Sequence, residues 1–180
     1  MGGAICLDFA IQRRSIVAGL VLVGPYYTGY HWPGIVPYMK PVVDAMQAGQ
    51  ARKAQELWMG IPWARAALGN PQVAPKLRSM TERNSRPFFE QLTPNVWGPI
   101  PMEKGVATLD APTLIVVGEL DTQDNHTVAD LLLGAMPAAT KVVIPGSGHY
   151  VPMEQPEAFT SALTRFLRQH VHGADAPPQA

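Results

Sequence analysis

The chain has 180 residues, its 14 Lys and Arg balance 14 Asp and Glu, and 47% of it is apolar, enough for one globular core with room for an insertion. No stripe of Lys or Arg forms, which excludes the electrostatic footprint of a nucleic-acid binder. A single cysteine, Cys6, excludes an internal disulfide, and no Cys and His spacing suits zinc, so a cytoplasmic setting with no metal or other cofactor is expected.

In chain order, residues 2–14 read as a helix with Ile5, Cys6, Phe9 and Ala10 on its inner face and Arg13-Arg14 at its C-terminal dipole. Residues 17–23 are a continuous apolar run stopped by Gly24-Pro25, the pattern of a parallel strand buried on both faces. The pair Arg13-Arg14 ahead of that run imitates a signal peptide. However, Asp8 precedes it, no small-residue cleavage site follows, and the run is too short to span a bilayer. Met1-Gly2 lacks the Ser or Thr at position 6 that N-acylation requires, so no membrane attachment is expected.

The next strand begins only at Thr113, whereas a parallel crossover needs about a dozen residues. Residues 26–107 are therefore expected to hold an inserted, mostly helical cap. All four tryptophans, Trp32, Trp58, Trp63 and Trp97, and ten of the 18 prolines fall in it, with helix-compatible stretches at 41–58 and 72–91 and proline-rich links at 33–41 and 94–101. The tryptophans and Met39, Met46, Met59 and Met80 are expected to form the cap's own core, some of them walling an apolar pocket. Tyr26 and Tyr27, just past the strand tip, either line a substrate pocket or pack under the cap.

Thr113-Leu114-Ile115-Val116-Val117 leads into Gly118-Glu119-Leu120-Asp121, and Lys141-Val142-Val143-Ile144 leads toward Gly146-Ser147-Gly148-His149. An acid and a histidine thus leave strand tips on the edge of an open α/β sheet where ligands bind. Between them, Thr122-Gln123-Asp124-Asn125 caps a helix whose Val128, Leu131, Leu132 and Ala135 face inward. Pro156 opens a last helix that buries Phe159, Leu163, Phe166 and Leu167, and residues 173–180 read as a disordered tail. His31 and His126 read as solvent-facing or capping residues, and His170 and His172, two apart, do not share a helical face. Neither G-x-G-x-x-G nor G-x-x-x-x-G-K occurs, which removes the usual nucleotide sites.

These blocks resemble the C-terminal half of the α/β-hydrolase fold. Met1-Gly2-Gly3-Ala4 is similar to the end of its G-x-S-x-G nucleophile elbow, residues 112–121 to the strand and turn of its acid, and residues 146–149 with 154–159 to its histidine loop and final helix. The resemblance implies about three parallel strands with flanking helices from residues 1–25 and 108–172, with the cap inserted at 26–107. It also implies His149 as general base and Asp121 as the carboxylate that orients it, with Asp124 the competing acid. It further implies the backbone of Met1 as an oxyanion donor. The nucleophile position falls before Met1. A chain lacking it is expected to be inert alone and to associate through its bare sheet edge. The implied reaction is hydrolysis of a small, rather apolar ester, lactone, amide or related bond, with serine the default nucleophile and aspartate the variant. A non-catalytic interaction module built on the same half-fold is the rival.

Overall fold

The computed structural model describes residues 2–84 and 102–170. Its centre is a parallel sheet of three strands in the order β1-β2-β3: β1 (Leu20–Val23), β2 (Thr113–Gly118) and β3 (Ala139–Ile144). Pairing runs from Leu20↔Thr113 to Val23↔Val116 and from Thr113↔Ala139 to Gly118↔Ile144, so the three strands end on one side. All six residues of β2 are buried, as a central strand with both faces covered requires.

Alternate strand residues feed two layers. Leu20, Leu22, Ile115 and Val117 face a core shared with α1 (Gly2–Gln12), α7 (Gln123–Ala135) and part of the helical segment between β1 and β2. Leu114, Val116 and Ile144 face the opposite way, onto Val151 of the short α8 (Val151–Glu154) and Phe166 of α9 (Pro156–His170). Pro156 stands at the start of α9, where its missing N–H costs nothing. Phe159, Leu163 and Leu167 are half-buried beside the fully packed Ala162 and Phe166.

The helical segment comprises α2 (Val36–Gln47), α3 (Ala51–Met59), α4 (Arg65–Gly69), α5 (Ala74–Asn84) and, beyond the undescribed stretch, α6 (Met102–Gly105). Ala67, Val73 and Leu77 form a small core against Tyr150 and Met153, which sets α4 and α5 over the histidine loop.

Several local expectations are corrected. The inner face of α1 is Ala4, Leu7, Ala10 and Ile11, whereas Ile5 and Phe9 are more than half exposed. The helix is apolar around most of its circumference, so periodicity does not choose a face. Tertiary packing does, seating Ile11 against Gly105. The strand starts at Leu20 rather than Val17, because a 3-10 turn at Arg14–Ile16 precedes it, and its edge position leaves Val21 and Val23 half-buried. The stretch 41–58 is split between two helices. Gly49 adopts φ +70°, and Gln50 N–H bonds back to Ala45 O at 2.8 Å, a left-handed glycine cap that ends α2. In α7, Leu131 points to solvent and Val128, Ala129 and Leu132 point inward. The links at 94–101 and the tail at 173–180 lie outside the described residues.

Candidate active site

At the end of β2 the chain turns sharply, with Asp121 N–H bonded to Gly118 O at 3.1 Å. This turn is fastened to the one after β3: Glu119 N–H bonds to Ile144 O at 2.9 Å and Leu120 N–H to Ser147 O at 2.7 Å. Gly118 has no room for a side chain, because a Cβ there would strike the carbonyl oxygens of Ser147 and Gly148. Asp121 is consequently pinned, and its side chain is fully buried.

The two oxygens of that carboxylate have different work. Oδ1 accepts from Thr122 N–H and from Asn125 Nδ2, each at 2.7 Å, while Oδ2 lies 3.0 Å from His149 Nδ1. The imidazole is 24% exposed, so one edge is held and the other is reachable. Gly24, at φ +51°, lies beneath the ring; a Cβ there would come within 2.7 Å of Cε1. Trp63 stacks over the ring with centroids 5.5 Å apart, and Tyr150 meets its edge at 5.6 Å.

Two further carboxylates shape the histidine loop. Glu119 Oε2 accepts from Gly146 N–H at 2.8 Å. Glu154, buried, accepts from the amides on either side of His149: Gly148 N–H on Oε2 at 2.8 Å and Tyr150 N–H on Oε1 at 2.9 Å. Burial, with Glu154 and Asp121 nearby, pushes the Tyr150 phenol above its ordinary value of 10.0 and keeps it neutral beside the ring.

Asp124, the competing acid, faces elsewhere. Its Oδ1 accepts from Tyr30 O–H at 3.2 Å and its Oδ2 from Gly34 N–H at 2.9 Å, so it ties the entry of the helical segment to α7. The N-cap of α7 is Thr122, whose hydroxyl accepts from Asn125 N–H at 3.4 Å. Ser147 is buried with its hydroxyl turned to Gly148 O at 3.3 Å.

Tyr26 stacks on Trp32 at 4.9 Å, and Tyr27 O accepts from the Trp32 indole at 3.3 Å, so both join an aromatic group at the foot of the helical segment. The Tyr27 phenol is also raised above 10.0, by burial and then by Glu103. His31 is exposed, His126 Nε2 lies 3.3 Å from Glu119 O, and His170 tilts against Phe166. Met1, Trp97 and His172 lie outside the described residues. Among the described residues no group of three or more His, Cys, Asp or Glu is gathered for a metal, and no helix is long and apolar enough to cross a membrane.

Sequence reasoning missed Asn125 and Glu154 as partners of the pair. Asn125 sits one helical turn after Asp121, a spacing that places the two side chains on one face. Glu154 closes the short α8 that follows His149, where an acid that is not solvated can turn back on the loop.

The family model described as the alpha/beta hydrolase family matches residues 1–162. The pimeloyl-[acyl-carrier protein] methyl ester esterase of Yersinia enterocolitica is 27% identical over 177 residues, 94% of this chain and 67% of the esterase. Among solved structures, esterase RhEst1 from Rhodococcus sp. ECU1013 is similar with a TM-score of 0.72 and 19% identity, over 93% of this chain and 62% of that one. A thermophilic esterase from Thermogutta terrifontis is similar at 0.70 and 23%, over 94% and 63%. The chain thus spans about two thirds of the length of the curated relative and less of the solved structures.

Proposed function

Because the chain belongs to the alpha/beta hydrolase family, we propose that it carries the acid–base half of an ester hydrolase, with His149 as general base and Asp121 as its orienting carboxylate. The supporting observation is the 3.0 Å contact from Asp121 Oδ2 to His149 Nδ1, made by a buried carboxylate to a partly exposed ring. Held by Nδ1, the imidazole presents Nε2 to a nucleophile, takes its proton, and returns that proton to the leaving group. Asp121 favours the Nδ1–H tautomer and stabilises the imidazolium without itself being protonated.

The nucleophile is assigned to a serine on the segment leading into α1, outside these 180 residues, because no Gly-x-Ser-x-Gly occurs among them. Two close approaches support that placement. A Cβ on Gly3, in the first turn of α1, would lie only 3.1 Å from Pro25 Cα, and the adjacent Gly24 lies under the imidazole. Residues 26–107 act as the cap that shapes the substrate site, with the Trp63 indole as an apolar wall beside His149. The substrate is accordingly a small, rather apolar ester. A methyl ester is the bond named for the Yersinia relative.

The test is hydrolysis of short-chain nitrophenyl esters by the chain alone and by a version completed with a Gly-x-Ser-bearing upstream half. The completed protein should turn over. His149→Ala should lower kcat by orders of magnitude with little change in KM, since it removes the proton shuttle. The 180 residues alone should be inert. Turnover by them that survives His149→Ala would overturn the assignment, and a completed, folded protein without esterase activity would favour the non-catalytic module.

A further inference from the structure

Asn125 has no part in the proton transfer proposed above, yet it is 1% exposed and touches both members of the pair. Its place follows from helix geometry. With Thr122 as N-cap, residue 125 lies one turn beyond Asp121 and its amide side chain rises against the carboxylate. Nδ2 is 2.7 Å from Asp121 Oδ1 and 3.0 Å from His149 Nδ1. The carboxylate decides which end of the amide this is, because an oxygen there would set acceptor against acceptor at 2.7 Å.

One amide hydrogen, with Thr122 N–H, fills Oδ1 and leaves Oδ2 facing the ring. The other hydrogen meets a conflict, because Nδ1 carries either one hydrogen or one lone pair. With the hydrogen, Nδ1 donates to Asp121 Oδ2 and turns N–H toward an N–H of Asn125. With the lone pair, it accepts from Asn125 and sets that lone pair against the carboxylate. Only the first form leaves Nε2 free to accept a proton.

The other neighbours do not resolve the conflict. Tyr150 is a neutral phenol at the ring edge, Trp63 covers a face, and Gly24 presents backbone. A hydrogen bond to the charged carboxylate is about twice as strong as one between neutral groups, so the Nδ1–H form is the major one.

We propose that Asn125 is a positioning residue that locks the Asp121 carboxylate through Oδ1 and competes with Oδ2 for Nδ1, dividing the resting imidazole between a base-competent and an idle tautomer. The inference rests on the roles given above to His149 and Asp121. A hydroxyl arriving at Nε2 as donor selects the Nδ1–H form, so the base is completed by the group it is to deprotonate.

The experiment is 15N spectroscopy of the histidine-labelled 180-residue chain at pH values where the ring is neutral, with the His149 signals identified by their loss in His149→Gln. Intermediate shifts are expected for both wild-type ring nitrogens. Asn125→Leu should move them toward the Nδ1–H limit, changing the tautomer ratio roughly fivefold, the equivalent of one ordinary hydrogen bond. Asp121→Asn should move them the other way. A wild-type ring already at the Nδ1–H limit overturns the proposal without any variant, and so does a folded Leu variant whose nitrogens do not shift. The readout is protonation, not turnover. An inert protein therefore leaves this inference standing, and a single-tautomer ring leaves the esterase assignment standing.

Discussion

Replacing Glu154 by alanine tests how the histidine loop is held. The residue is 8% exposed, and its carboxylate receives two backbone N–H groups, from Gly148 at 2.8 Å and Tyr150 at 2.9 Å. Hydrogen bonds to a charged group contribute about 1.5–3 kcal/mol each, so the gross loss is about 3–6 kcal/mol. Removing a buried charge returns part of its desolvation cost. Against that, the Gly148 amide is buried and has no water to turn to, while the Tyr150 amide lies nearer the surface. The net expectation is about 3 kcal/mol, a large share of the ~5–15 kcal/mol that holds a domain together. Glu154→Gln should lose about half as much by the same hydrogen-bond scale, because one oxygen still accepts while the new NH2 faces the other N–H. Urea unfolding followed by tryptophan fluorescence gives the two energies, and amide exchange at Gly148 and Tyr150 reports the loop directly. If Glu154→Ala unfolds within about 0.5 kcal/mol of wild type and the Gly148 amide stays protected, the clamp does not exist.

Gly24→Ala should cost about 1–2 kcal/mol for the left-handed backbone alone and push the imidazole off Asp121, since its Cβ falls 2.8 Å from Nδ1; a crystal structure with the 3.0 Å contact intact would refute this. Asp124→Ala removes the acceptor of Tyr30 O–H and Gly34 N–H and should loosen the entry to the helical segment, at a cost of about 1–3 kcal/mol. A change in Trp32 fluorescence with the His149 signals unmoved is expected; an unchanged Trp32 environment would mean that the segment is anchored elsewhere. The raised phenols of Tyr150 and Tyr27 stay neutral in the folded chain at pH values where the unfolded chain has begun to ionise at its ordinary 10.0. Their contribution is therefore complete below that pH and is lost as pH rises through the folded values. Tyr150→Phe should flatten the fall in Tm between pH 9 and 11.5 expected from these ordinary phenol values, and parallel curves for the two proteins would contradict the burial argument.

Much of the sheet is legible in the sequence because β2 is an unbroken apolar run, and only a central parallel strand needs one. The nearness of an acid and a histidine follows in turn, since Gly118 and Ile144 are paired at the same level and the motifs continue from there. The facing of α1 is not legible. Ile5, Leu7, Phe9 and Ile11 surround the helix, and which of them is covered depends on Gly105, far away in sequence. The break at Gly49 is hidden for a different reason: one glycine inside a helical pattern costs only ~1 kcal/mol, too little to announce a cap. Asn125 and Glu154 are hidden most deeply, because a polar residue near a turn reads as a solvated cap until the packing around it is known. Their roles arise from burial, which no local pattern encodes.

The turn after β2 and the turn after β3 press backbone against backbone at Gly118, and residues 26–107 reach this joint through Trp63 over the ring and Ala66 beside Gly148. Precision and adaptability are thus stored in separate stretches of chain. The distance between Asp121 and His149 is inherited from the pairing of two neighbouring strands, so it should survive changes in the helical segment that spare those two side chains and the Ala67, Val73 and Leu77 packing on Tyr150 and Met153. On the proposed assignment, insertion, deletion or exchange between β1 and β2 redraws the surroundings of the imidazole, while residues 113–156 hold the pair. On the proposed function, chimeras that transplant the segment alone should carry preference for a substrate from one protein to another and leave the Asp121–His149 contact where it was.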